Sequence, residues 1–404
     1  MIRHEVFTDA ERQLVAERLP AVRRQLVANT RKFQQHPVPL LLAGDAYPGI
    51  WLEHNHDNLF LAPYAPEEAW ASQAVFMDYQ RPDGLLPFNL PLSYGPTQYF
   101  KTPATYSHVQ AVWSFARCAL EIARATSRPE RDLQRLYDAA VRYDQWFVAN
   151  RNRANTGLVE MYCEWDTGHD NSPRVTDDGI PHACPGNDAA NMPDLPCMPI
   201  LSVDLSAMLY GHRTALADIA DLLGRHQDAQ QWRDRAETTR RLINQYLYDP
   251  QDDFFYDRSP NGFRKYRTEH ITRLFLNQVL TQQQFDSIYQ RYFETPGREF
   301  NPAFPIPAVS VDDPHFVQNA PSNCWGAHSQ ANTAVRALLW MPHYGRHDDL
   351  LGLLSVWLRA FLNGNCRLTQ EISPFDGHII GEKENYTPAI ILFLKAAELV
   401  LNLQ

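Results

Sequence analysis

Nowhere in its 404 residues does the chain run eighteen apolar residues without a charge, so no membrane-spanning helix is expected. The opening residues, MIRHEVFTDAERQ, lack the apolar core of a secretory signal. No two of the six cysteines, Cys118, Cys163, Cys184, Cys197, Cys324 and Cys366, form a CxxC pair. His182, Cys184 and Cys197 share one Pro-rich loop, but the two-pair ligand spacing of a zinc site is missing. Six reduced thiols, no metal, no cofactor and a cytoplasmic setting are the expectation. Positive charge is in deficit, with Lys+Arg 37 against Asp+Glu 47 for a net charge of −10, and no Lys/Arg block occurs. Phosphate backbones need concentrated positive charge, so a nucleic-acid binder is excluded. Runs of alternating strand are also missing, which excludes a βαβ pattern.

What is present is a globular composition, 44% hydrophobic and 21% charged. Helical periodicity predicts helices near 9–34, 66–79, 104–124, 130–150, 202–223, 226–247, 267–279, 282–293, 325–341, 347–363 and 387–402. They are of two kinds. The 130–150 and 226–247 segments each keep one apolar face and should lie outside, whereas 104–124, 202–223 and 387–402 are apolar nearly all round and should be buried. Short turns alternate with long Pro/Gly/Asn-rich loops at 80–103, 151–201, 248–266, 294–324 and 364–386. Repeated inner helix, short turn, outer helix and long loop predict an all-α toroid, an (α/α)6 barrel in one domain over 1–404. The long loops should gather at one end, where chemistry is expected.

Those loops carry polar clusters beside aromatics. The first is Glu164-Trp165-Asp166-Thr167-Gly168-His169-Asp170-Asn171-Ser172-Pro173-Arg174. The second is Thr369-Gln370-Glu371-Ile372-Ser373-Pro374-Phe375-Asp376-Gly377, continuing to Gly381-Glu382-Lys383-Glu384-Asn385-Tyr386, in which Glu382 and Lys383 look exposed. The others are Trp51-Leu52-Glu53-His54-Asn55-His56-Asp57-Asn58, Gln80-Arg81-Pro82-Asp83-Gly84, and Asn323-Cys324-Trp325-Gly326-Ala327-His328-Ser329-Gln330. Carbohydrate sites need this mixture, because apolar ring faces stack on aromatics and hydroxyls need polar partners.

In their order along the chain, these segments resemble the trehalase and glycoside hydrolase family 63 group of (α/α)6-barrel glycosidases, and most of all its short mannosylglycerate-hydrolase-like members. Asp166-Thr167-Gly168-His169-Asp170-Asn171-Ser172-Pro173-Arg174 is similar to that group's acid segment, which implies that Asp170 is the general acid. Glu371-Ile372-Ser373-Pro374 resembles the base segment but is one residue shorter between Glu and Pro. The resemblance therefore implies Glu371 as base, or Glu384 if the gap is placed differently. It also implies inversion at the anomeric centre of a small α-glycoside: an α-glucoside or α-mannoside, possibly a glycosylglycerate or short oligosaccharide.

An inverting pair should stand about 6.5–9.5 Å apart. Asp170 should be buried beside Trp165, with Asp166 as a like charge raising its pKa, and Glu371 should be wetter or better hydrogen-bonded. Trp51, Asp57, Gln80, Asp83, Trp165, Arg174, Trp325 and Gln330 are the expected substrate contacts, with Arg174 free to fork onto a substrate carboxylate or else held in an internal ion pair with Asp166 or Asp170. The main alternative is a sugar epimerase or isomerase on the same barrel, working through His54, His56, His169 or His328.

Overall fold

The computed structural model describes residues 2–317, 325–381 and 384–402. Thirteen α-helices are present among them. In chain order they are α1 (Asp9–Ala28), α2 (Asp57–Leu61), α3 (Pro66–Asp78), α4 (Phe115–Ala125), α5 (Glu130–Asn150), α6 (Pro173–Thr176), α7 (Val203–Leu222), α8 (His226–Leu247), α9 (Ile271–Leu276), α10 (Gln282–Tyr292), α11 (Ala331–Trp340), α12 (His347–Asn363) and α13 (Thr387–Val400).

Burial separates them as their sequences require. α5 buries one face, including Leu136, Tyr143 and Phe147, and α8 buries Ala229, Trp232, Ile243 and Leu247. α13 buries Ile390, Ile391, Leu392, Phe393 and Leu394 in unbroken succession, so its first half is enclosed on all sides, and its last turns carry the partly exposed Lys395–Glu398 pair. Six helices follow one another in contact and return to the first: α2 packs on α4, α4 on α7, α7 on α9, α9 on α11, α11 on α13, and α13 on α2. Others lie against this cycle, α5 and α8 on α7, α12 on α13 and α11, and α1 on α13. Local signals hold several ends. Ser202 caps α7 by accepting from the Leu205 amide, and Ser114 caps α4 by accepting from Arg117.

Two expectations change. The chain is helix-rich but not purely helical, because among the described residues the loops pair into five small sheets of two- and three-residue strands. One joins Gly49–Trp51 to Asn89–Pro91; another joins Ser329–Gln330, Glu371–Ile372 and Ile379–Ile380. Strands this short leave no periodicity to read. In addition, the apolar segment from 104 is not helical until Phe115. Its backbone groups are taken elsewhere: Thr105 pairs with Asn89, Val109 donates to the Asp166 carboxylate, and Ser114 donates to Asn277 Oδ1. Tertiary partners there outbid the helix, and 104–110 becomes cavity wall. No helix among the described residues is long and apolar enough to cross a membrane.

Candidate active site

A cavity of about 1080 Å³ opens among the loops. Trp51, Trp165 and Trp325 line it together with Asp170, as do Tyr47, Glu53, His54, Gln370 and Tyr386.

The segment carrying Asp170 is fixed residue by residue. Asp166 is fully buried and accepts from Arg151 and from the amides of Val109, Tyr162 and Cys163. Burial would raise its pKa, but the Arg151 guanidinium and these amides hold it below the usual carboxylate range. Glu164 is likewise occupied, receiving the Asn171 amide at 2.6 Å and His182 Nδ1 at 2.5 Å. A short 3-10 turn, Glu164–Thr167, ends at Gly168 with φ 68. A Cβ there would lie 1.9 Å from Glu53 Oε2, so the position needs glycine. Of the three carboxylates in this stretch, Asp170 alone lines the cavity.

Beneath the loop is a buried ion network. Arg174 binds Asp204 and Asp257, while Arg273 binds Asp204 and Glu269 and donates to the Thr167 carbonyl. His169 Nε2 lies 2.5 Å from Glu269, and its Nδ1 accepts from Arg174. Burial, with the Arg273 charge beside it, lowers His169 to about 4, so the ring is neutral and its Nε2 proton points at Glu269.

Burial, then the charges of Glu53 and Glu164, raise Asp170 to about 7. Its Oδ1 is buried without a protein hydrogen bond. The cause differs from the sequence expectation, because Arg151 neutralises Asp166 and the repelling carboxylates are Glu53 and Glu164. Glu371 is 2% exposed and holds His328 Nδ1 at 2.5 Å. It is thus the better hydrogen-bonded carboxylate and not the wetter one. Its strand pairs Glu371 with Gln330 on one side and Ile380 on the other. Tyr47 stands close to both acids: burial, then the charges of Asp170, Glu371 and Glu53, push its hydroxyl well up, and that hydroxyl donates to Gln370 Oε1 at 2.6 Å.

Several expected contacts lie elsewhere. Glu384 is at the surface, its side chain 55% exposed and paired with Arg367. Arg174 is buried and saturated by Asp204 and Asp257, neither of them the partner expected, which leaves it nothing for a substrate carboxylate. Asp57 sits behind the wall on His54 Nδ1. Gln80 bridges the Gly84 and Ala139 carbonyls, and Asp83 pairs with Arg81; neither lines the cavity. Gln330 is buried and accepts from Gln370, so it supports a lining residue without being one.

Sequence reasoning passed over Glu53 although it stands two residues after Trp51. Its Oε2 is buried without a protein partner, and its Oε1 lies 3.2 Å from His54 Nε2. Burial would lower His54, but hydrogen bonds to Asp57 and Glu53 raise it to about 9. With Arg336 and Arg273 also near, Glu53 stays ionised despite burial. Of the four histidines named for an epimerase, His54 lines the cavity and is raised to about 9, His56 and His169 are buried, and His328 holds Glu371.

The loop grouping of His182, Cys184 and Cys197 does not converge. The one cluster of ligand type among the described residues is Cys163, Asp166 and Cys184. Arg151 occupies its centre, bonding both Asp166 and Cys184 Sγ, and that positive charge stands where a cation would have to sit. The five described cysteines are free thiols; Cys324, Asn323, Glu382 and Lys383 lie outside the described residues.

Residues 51–382 match the mannosylglycerate hydrolase MGH1-like glycoside hydrolase domain. The chain belongs to this family. It is a glycosidase of the family 63 type. Among solved structures it is similar to the family 63 mannosylglycerate hydrolase of Thermus thermophilus. In the complex with Tris and D-glycerate the TM-score is 0.69 and identity 17%, over 93% of this chain and 99% of that one. In the glucose complex the TM-score is 0.69 and identity 18%, with the same coverage. The neutral trehalase of Saccharomyces cerevisiae is similar at TM-score 0.64 and 15% identity, over 89% of this chain and 73% of that one.

Proposed function

We propose that this glycosidase hydrolyses a small α-glycoside, an α-glucoside or α-mannoside, with inversion, Asp170 acting as general acid and Glu371 as general base. The cycle of α2, α4, α7, α9, α11 and α13, with the remaining long helices outside it, supports an (α/α)6 barrel built as one domain over 1–404. The cavity then lies over one end of the ring.

The observation that carries the assignment is a cavity-lining acid that keeps its proton, Asp170, with a second buried acid, Glu371, close to the same Tyr47 hydroxyl. Asp170, raised to about 7, holds its proton into the neutral range and can give it to the leaving oxygen. Glu371 is oriented by His328 and is suited to take a proton from water. Inversion requires a water between them, which calls for a carboxyl separation of about 6.5–9.5 Å. Trp51, Trp165 and Trp325 supply flat apolar walls for sugar faces, and the unpaired oxygens of Glu53 and Asp170 await hydroxyls. Asp57 and Gln330 position His54 and Gln370.

The deciding experiment is turnover of an α-glycoside panel followed by anomer-resolved NMR. The first-formed product should be the β-anomer, and Asp170→Asn should abolish turnover of substrates with poor leaving groups while still binding sugar. A first product of retained configuration, or ordinary turnover by Asp170→Asn, would refute the assignment.

A further inference from the structure

Arg151 shuts a cation out of the cluster of Cys163, Asp166 and Cys184, but it leaves two thiols side by side. Their Sγ atoms lie within 4.8 Å of each other, and the two side chains are hydrogen-bonded. Bonded sulfurs stand about 2 Å apart, so side-chain rotation has to bring these two together by less than about 3 Å. The backbones that carry them are already joined. The Glu164 amide donates to the Pro181 carbonyl at 2.9 Å, and the Trp165 amide to the His182 carbonyl at 3.1 Å. Trp165 and His182 stack with ring centroids 5.4 Å apart. Cys163 stands at the head of the 3-10 turn that leads through Gly168 to Asp170. The Cys184 amide donates to the carbonyl of Ser107, a cavity-lining residue. A bond between the sulfurs would therefore close a loop that contains Asp170 and tie it to the cavity wall.

The two thiols are not equivalent. Cys184 Sγ accepts from Arg151 Nη2 at 3.5 Å, so negative charge on this sulfur meets a cation. Cys184 also leads into the turn Pro185–Asn187, none of whose residues is buried, whereas Cys163 is enclosed. Burial pushes the Cys163 thiol up, and the Cys184 sulfur beside it raises it further, so Cys163 keeps its proton. This division suits stepwise oxidation by a small peroxide. The Cys184 thiolate attacks one peroxide oxygen and the O–O bond breaks. Cys184 becomes a sulfenic acid, and the hydroxide released takes up the proton that the thiol gave up, forming water. The Cys163 sulfur then attacks the sulfenyl sulfur; its proton and the departing hydroxyl leave as a second water, and the S–S bond remains. The thiols lose two electrons and two protons, and the peroxide is reduced to water.

We propose that Cys163 and Cys184 form a dithiol–disulfide site oxidised by peroxide, whose disulfide staples the Asp170-bearing segment, so that the oxidised chain gains heat resistance and keeps its turnover. Neither cysteine lines the cavity, so the bond leaves the reacting groups in place.

The test treats the full chain with hydrogen peroxide, blocks the remaining thiols and maps the digest by mass spectrometry. A Cys163–Cys184 peptide pair should appear, lighter by two hydrogen atoms than the separate thiol peptides, and dithiothreitol should remove it. Closing the 163–184 loop should raise the melting temperature by about 4 °C for a chain of this length, reversibly, with α-glycoside turnover retained. Cys163→Ser and Cys184→Ser should each lose the peroxide-dependent rise, and in Cys163→Ser dimedone should trap the sulfenic acid on Cys184. The mapping is read on the parent chain, so it decides even if a variant fails to fold. Both thiols still free after treatment, either one paired with a different cysteine, or a cross-link that leaves the melting temperature unchanged or abolishes turnover overturns the proposal. If the reduced chain turns over no glycoside, the acid–base reading falls, while the cross-link and the melting shift still decide this one.

Discussion

If Asp170 is held protonated by its surroundings, replacing it with Asn should stabilise the fold while destroying activity, and the gain should depend on pH. In the folded protein Asp170 titrates at about 7, against 3.8 for the ordinary side chain. Between those values the native state keeps a proton that the unfolded chain releases, so stability declines as pH rises from about 4 to 7, and the full cost is present above 7. At 1.36 kcal/mol per pH unit that cost reaches about 4 kcal/mol. Partial exposure of Asp170 to the cavity screens its charge and lowers the figure to about 2–4 kcal/mol. At pH 5 only about a third of it has developed, because the unfolded carboxyl has been ionised over little more than one unit. Asn carries no such charge. The Asp170→Asn variant should therefore melt about 2–4 °C above the parent at pH 8 for a chain of this length, and by clearly less at pH 5. Packing or hydrogen-bond differences between Asp and Asn contribute equally at both pH values and cancel in the comparison. Thermal unfolding of both proteins at the two pH values is the measurement. An offset that does not grow between pH 5 and pH 8 would show that Asp170 carries no burial cost and would remove the physical basis for its role as acid.

The same titration sets the basic limb of catalysis: kcat/KM should fall as pH rises through about 7 as Asp170 loses its proton, and a profile flat to pH 9 would contradict this. Glu371→Gln should lower kcat by about 10²–10⁴-fold, whereas Glu384→Gln, which only breaks a surface pair with Arg367, should leave it within about twofold; steady-state rates on one substrate decide, and the reverse ranking moves the base to Glu384. Arg174→Ala strands Asp204 and Asp257 in the interior and should cost about 3–5 kcal/mol of stability, read in denaturant unfolding. A variant of unchanged stability with a raised KM would restore Arg174 as a substrate contact.

The helix periods were legible in the sequence because they are local. α5 and α8 show one apolar face each and α13 an unbroken apolar run over 390–394, and these patterns state burial directly. Asp170 was singled out by family resemblance, and its segment was legible as a polar cluster. What each charged side chain does within that segment was not. Asp166, Asp170 and Arg174 are equally polar on the page, yet Asp166 is neutralised by Arg151, Arg174 by Asp204 and Asp257, and Asp170 alone is left facing a cavity. Those partners are 15, 30 and 83 residues away, and Arg273, which grips the Thr167 carbonyl, is 106 away. Sequence by itself determined where helices form and which loops carry acids, since backbone propensity and side-chain period act over a few residues. Only the tertiary structure decided which acid is protonated, which cation is spent and which aromatics face the cavity, because desolvation and Coulomb interaction depend on distance in space and not along the chain.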